Sequence, residues 1–308
     1  MKRWLKILII GVLVLLIVIV AVGVGGYYYI QNSYNYNPSR NSSVLDKVEL
    51  LDVAFNKVER INIAILGVDE RKNDPGRSDT IIIASLDFKN KKVNILSIPR
   101  DTRAYIPNHG FTKINHAYAY GGVELSLRTL ENLLNIPIHY YVKTNFQQFE
   151  KFIDAIGGID IEVERRMYYR DSTDKFFVDL TPGVHHLNGK EALGYVRFRH
   201  DPMGDLGRVE RQQKFLMALF KQMKEKINLI NLPQYISLAG SIFETNASLM
   251  EAMVIASKFM DITEEDIHTF VMPGTPENIN GISYVIPDEI RLKEILDQYF
   301  KINNVKEG

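Results

Sequence analysis

The chain has 308 residues, 46% of them apolar, and its 37 acidic side chains balance 37 basic ones. That composition describes a globular protein and excludes a disordered or nucleic-acid-coating one; with no net charge, no nucleic-acid partner is expected and any anion must be recognised locally. The absence of cysteine excludes disulfides, thiolate-bound zinc, iron–sulfur clusters and thiol catalysis.

The N-terminus reads as a membrane anchor. Lys2, Arg3 and Lys6 precede an uncharged run from Ile7 to Ile30, long enough to cross the hydrocarbon core as one helix. A cleavable signal peptide has a shorter apolar region and a small-residue cleavage site, and the run shows neither feature. The basic flank keeps residues 1–6 in the cytoplasm and sends the remainder outside, with Tyr27, Tyr28 and Tyr29 at the outer interface. Residues 31–44 are polar without periodicity and form a short stalk. Residues 45–308 then make one extracytoplasmic domain.

Three strands open that domain: 61–67, 80–87 and 93–99, each rich in β-branched residues and bounded by turn formers. The stretch GVDERKNDPGRSDT places Asp69 at the end of the first strand and Arg77 and Asp79 at the start of the second. Arg100 and Asp101 follow the third. A helix is predicted over 121–135, where Val123, Leu127, Leu130 and Leu134 share one face, and a strand over 139–144. A second helix begins after Asn145 and stops at Gly157–Gly158, and a strand follows over 159–163. Strands alternating with helices predict an α/β domain, a central mixed β-sheet flanked by helices.

His185 and His186 fall in a turn-like stretch with no companion at metal-ligand spacing, and His116 and His139 read as ordinary packing residues. YVRFR, 195–199, alternates like a strand and so puts Arg197 and Arg199 on one side. Asp205 can cap a helix in which Arg208 and Arg211 share a face, running from about 206 to 227. Its apolar stripe, Phe215, Leu216, Leu219, Phe220 and Met223, reads as core or as the lining of a lipid tunnel. A helix over 248–260, a strand over 268–274 and a closing helix over 287–300 complete the chain.

Two constellations carry chemistry. Carboxylates at adjacent strand ends, without histidine or cysteine nearby, suit a hard cation such as Mg²⁺, although Asp69 and Asp79 also read as turn and cap residues. Arginines arriving from a strand and a helix suit phosphate oxygens, although Asp201, Asp205 and Glu210 also offer them surface ion pairs. Taken together they are the parts of a phosphoryl-transfer site. No Walker loop is present, and no G-x-S-x-G elbow surrounds any serine.

The runs RSDTIIIASLD…VNILSIPRDTRAYIP, KINHAYAYGG…LLNIPIHYYVKTNF…FIDAIGGIDIEV and LTPGVHHLNGKEALGYVRFRH…DLGRVERQQ resemble the LytR-CpsA-Psr family of bacterial cell-envelope proteins, over roughly residues 60–225 and again at VMPG. The resemblance implies a phosphotransferase. Such an enzyme moves an anionic glycopolymer, teichoic acid or capsular polysaccharide, from an undecaprenyl-pyrophosphate carrier to a peptidoglycan sugar hydroxyl. It implies Mg²⁺ held by Asp69 and Asp79, and a pyrophosphate clamp of Arg77, Arg100, Arg197, Arg199, Arg208 and Arg211 with Gln212 beside it. Asp101 and Asp205 also match family positions; Asp79 or Asp101 is the candidate to take the acceptor's proton, beside Arg100. Two other readings keep the clamp: a regulator that binds the lipid pyrophosphate without turnover, and a hydrolase in which water replaces the sugar.

Overall fold

The computed structural model describes residues 58–69, 76–171, 176–198, 232–259 and 261–301, with part of 211–226. The expected anchor at 7–30 and stalk at 31–44 lie outside them; among the described residues no helix is long and apolar enough to cross a membrane.

In chain order the first strands are β1 (Arg60–Val68), β2 (Ser78–Asp87), β3 (Lys92–Ile98), β4 (Arg103–Ile106) and β5 (Gly110–Lys113). Helix α1 (His116–Leu134), β6 (Tyr140–Asn145) and α2 (Phe146–Ala155) follow. Next come β7 (Ile159–Val163), β8 (Met167–Asp171), β9 (Phe176–Leu180), β10 (Gly183–Leu187) and α3 (Gly189–Arg197). The chain continues with α4 (Leu232–Ile242), β11 (Glu244–Thr245), α5 (Leu249–Phe259) and β12 (Ile267–Val271). It closes with β13 (Gly274–Ile279), β14 (Ile282–Pro287) and α6 (Glu289–Tyr299). These elements fall into two compact units, a sheet unit drawn from 58–145, 244–248 and 261–301 and a helical unit drawn from 146–243 and 249–259.

The sheet unit is built on six strands in the order β11-β6-β1-β2-β3-β12. β1 pairs parallel with β6, and β3 with β12, while β2 runs antiparallel between β1 and β3. The sheet is therefore mixed. Its three central strands are buried along nearly their whole length, which is why they read as continuous apolar runs and not as alternation. One face, including Ala64, Leu66, Ile83 and Leu96, packs on Tyr118, Leu130 and Leu134 of α1 and on Leu292 and Leu296 of α6.

Helix α1 starts at His116, five residues before the predicted start, and is interrupted at Gly121 and Gly122. Gly122 has φ 61° and ψ −150°, a conformation essentially reserved for glycine, so the apolar periodicity becomes regular only after the kink.

In the helical unit, β7 pairs with β10 and β8 with β9, as separate two-stranded sheets. Over the described residues of 195–199 the expected strand is absent, because Tyr195–Arg197 form the last turn of α3. A capping box starts that helix: the Asn188 side chain accepts the Glu191 N–H at 3.0 Å, and Glu191 accepts the Asn188 N–H at 3.0 Å. The buried face of α3, Ala192, Leu193, Tyr195 and Val196, follows helical spacing. Two apparent alternations at its end misstate the period. His185 and His186 also lie on a strand, β10, and not in a turn; His186 Nδ1 sits 2.6 Å from Asp160.

Candidate active site

The parallel strands β1, β3, β6 and β12 all point their C-termini toward one end of the sheet, where α/β sheets bind ligands. At that end the β1/β2 ladder slips by one residue. Gly67 pairs with Thr80 and Val68 with Ser78, so Asp79 has no partner on β1. A bulge of this kind re-aims the extra residue's side chain. Gly67 permits the close approach, since a Cβ there would lie 3.0 Å from Thr80 Cβ. Beyond the slip, the Asp69 N–H donates to the Arg77 carbonyl at 3.1 Å and brings those two residues opposite each other.

The re-aimed carboxylate meets Arg100, just past β3. Arg100 Nη1 lies 3.0 Å from Asp79 Oδ2, and the Asn115 side-chain amide donates to Asp79 Oδ1 at 3.4 Å. Arg100 Nε is 3.9 Å from Asp101, which Lys113 Nζ approaches at 2.7 Å. The side chains of Arg100, Asp79, Asp101 and Lys113 are 24%, 33%, 29% and 23% exposed, respectively, so this charge is held in place yet reachable. Asn115 is buried, and its Oδ1 has no hydrogen-bond partner, an acceptor left open beside the carboxylates. His116 follows; burial first, then the charges of Arg77 and Lys113, push its imidazole below the usual histidine range. Lys113, Asn115 and His116 were not anticipated as site residues, because only a short hairpin, β4/β5, returns them to the end of β3.

Of the predicted residues, Asp69, Arg77, Asp79, Arg100 and Asp101 therefore gather at one sheet end. Among the described residues no group of three or more histidines, aspartates or glutamates forms a closed metal set. The donor chemistry nevertheless fits Mg²⁺: the candidates are carboxylates only, and Asp79 carries one hydrogen bond on each oxygen, leaving lone pairs available.

The remaining described arginines of the prediction, Arg197 and Arg211, belong to the helical unit. Arg197 ends α3 with its guanidinium 4.1 Å above the Phe146 ring. Arg211 is 3% exposed; it donates to the Phe198 carbonyl and lies 3.7 Å from Glu164. Glu164 also accepts the Tyr195 hydroxyl at 3.0 Å, and burial followed by that carboxylate pushes the Tyr195 pKa up. Arg211 thus ties the carbonyl at the end of α3 to Glu164, and its buried Nε has no hydrogen-bond partner among the described residues. Phe215, Leu219 and Met223 of the expected stripe are buried. Arg199, Asp205, Arg208 and Gln212 lie outside the described residues.

The LytR_cpsA_psr family model matches residues 27–301. "Regulatory protein MsrR" of Staphylococcus aureus is 36% identical over 260 residues, covering 82% of this chain and 77% of that protein. "Polyisoprenyl-teichoic acid--peptidoglycan teichoic acid transferase TagU" of Oceanobacillus iheyensis is 33% identical over 262 residues, 82% of this chain and 80% of that one. The solved structure of Bacillus subtilis YwtF (TagT) with bound octaprenyl pyrophosphate lipid superposes with a TM-score of 0.60 at 29% identity, over 78% of this chain and 88% of that one.

Proposed function

Since the chain belongs to the LytR-CpsA-Psr family, we propose that it transfers an anionic glycopolymer, of the teichoic acid or capsular class, from an undecaprenyl-pyrophosphate carrier to a peptidoglycan sugar hydroxyl. The observation that carries this reading is the bulged Asp79 held by Arg100 at the carboxyl end of the sheet, with Asp101 and Lys113 adjoining. The printed name of the TagU relative and the lipid pyrophosphate in the YwtF structure agree with it.

The acceptor hydroxyl attacks the phosphorus next to the glycopolymer. A new P–O bond forms, the bridging P–O bond to the carrier breaks, and polyprenyl phosphate leaves with the electron pair. Asp79 or Asp101 accepts the hydroxyl proton, and Arg100 and Arg77 offset the charge that grows on the phosphoryl oxygens. Asp69 and Asp79 would hold Mg²⁺, which when bound supplies further positive charge to the pyrophosphate. Arg77, Arg100 and Lys113 balance Asp69, Asp79 and Asp101, so a divalent cation and a dianionic pyrophosphate enter together without disturbing that neutrality. Residues 7–30 anchor the chain in the membrane that holds the carrier, with residues 1–6 cytoplasmic and the catalytic part outside, in this reading.

The test uses the full-length chain in lipid nanodiscs with a lipid-pyrophosphate-linked saccharide and uncrosslinked peptidoglycan oligomers, in Mg²⁺ or EDTA, followed by mass spectrometry. Metal-dependent phosphodiester-linked glycan is the expected product. Free polymer phosphate would make the protein a hydrolase. Tight lipid binding without any product would favour the regulatory reading that the name of its MsrR relative carries.

A further inference from the structure

The hairpin that supplies Lys113 carries an unexplained feature on the same face. Arg103 is directly opposite Lys113, and Tyr105 directly opposite Phe111, so all four side chains leave one side of the β4/β5 ribbon. Ala104 and Ile106 point the other way and are buried. Tyr105 is 51% exposed and Phe111 60%, with ring centroids 5.5 Å apart, and Arg103 stands 4.6 Å over the Phe111 ring. This aromatic pair begins two residues, about 7 Å at the usual strand rise, from Lys113 and its partner Asp101.

The rings border a cleft of about 460 Å³ between the hairpin, the C-terminal turn of α1, the end of β14 and α6. Asn132 and Asn135 line it from α1, and Lys293 and Asp297 from α6. Helix α1 ends there with Asn135 in the left-handed region (φ 50°), so the last turn presents carbonyls that have no intrahelical partner. The cleft's bordering charges nearly cancel: Arg103, Lys293 and Lys301 face Glu289 and Asp297, and Lys301 is already paired with Asp297.

We infer that this cleft binds the acceptor glycan, a saccharide chain whose pyranose rings stack on Tyr105 and Phe111 while its hydroxyls bond the amides and carbonyls at the end of α1. A pyranose has an apolar C–H face and a polar rim, and the cleft offers an aromatic platform beside amide and carbonyl acceptors. A prenyl chain would leave those polar groups unmatched, and a polyanion would find at most one net positive charge to bind. The inference rests on the proposed transfer reaction only in calling the glycan the acceptor. It makes the outward face of one hairpin a track from the docking platform to the reacting carboxylates.

The test measures binding of N-acetylglucosamine oligosaccharides and of uncrosslinked peptidoglycan fragments to the full-length protein in nanodiscs, by calorimetry, with lipid-pyrophosphate binding measured in parallel. Phe111→Ala and Tyr105→Ala are each expected to weaken glycan binding about tenfold, or 1.4 kcal/mol, and to raise the glycan KM without changing lipid affinity. Phe111→Tyr, which keeps a ring, is expected to restore binding. Both residues are more than half exposed, so the folded state tolerates the changes. Glycan affinity and KM unchanged in both alanine variants would overturn the inference while leaving the transfer reaction standing. A wild-type protein that binds the glycan but no lipid pyrophosphate would instead remove the transfer reading and leave the saccharide site.

Discussion

The β1/β2/β3 sheet has a charged pair at each end, and the two are built differently. At one end Arg60 and Asp87 face each other across β1 and β2 at 2.6 Å, with side chains 12% and 7% exposed. Both are saturated. Asp87 also accepts the Asn90 N–H and its side-chain amide at 2.8 and 2.9 Å, and Arg60 also donates to the Tyr299 carbonyl. At the other end Asp79 and Arg100 are offset from the regular ladder by a bulge and stand partly open to solvent, next to an unpartnered Asn115 oxygen. The same strands thus carry a locked ion pair that fixes the N-terminus of β1 to the end of α6, and a more open one that, in the proposed reading, receives the phosphate. Burial and saturation separate the two; the residue types do not.

The comparison can be broken by mutation. Asp87→Ala leaves Arg60 buried without its carboxylate, and the expected loss is about 3–5 kcal/mol of stability, read by denaturant unfolding, with transfer per folded molecule retained. Loss of activity without loss of stability would erase the distinction between the two ends. Gly67→Ala forces a Cβ against Thr80 at the bulge; overpacking of this kind costs about 1–3 kcal/mol, and transfer should fall further than stability explains, because Asp79 is re-aimed. A variant as active as wild type would show that the bulge geometry does not matter. The smallest effect concerns His116. Its folded pKa is depressed below the unfolded value of 6.5, so its contribution to stability is present above that value and fades as pH falls through the folded pKa. His116→Asn should flatten the loss of stability on acidification below about pH 6.5; an unchanged slope would assign that loss to other groups.

The place of several candidate residues was legible because their scaffold is. Ile61–Val68, Thr80–Asp87 and Val93–Ile98 are long, β-branched and buried on both faces, so their ends, and with them Asp69, Asp79, Arg100 and Asp101, were locatable. The bulge was not legible, since one slipped residue changes no periodicity. The β13/β14 hairpin was missed although Asn280–Gly281, both at positive φ (53° and 81°), is a strong turn signal. At 195–199 two alternations outweighed the Asn188/Glu191 capping box, which correctly marks a helix. Charge spacing gave no sign of burial at Arg211, which is 3% exposed beside Glu164 and Phe198.

The most direct measurement is the single-turnover rate of phosphodiester formation by Arg100→Ala in nanodiscs, with thermal unfolding followed alongside. Arg100 is only partly buried, so its removal should leave the unfolding temperature nearly unchanged and slow transfer by about 10²–10³-fold, the loss typical of a group that stabilises developing oxyanion charge. Transfer at the wild-type rate by a folded Arg100→Ala protein would contradict the assignment of this sheet end as the reacting site.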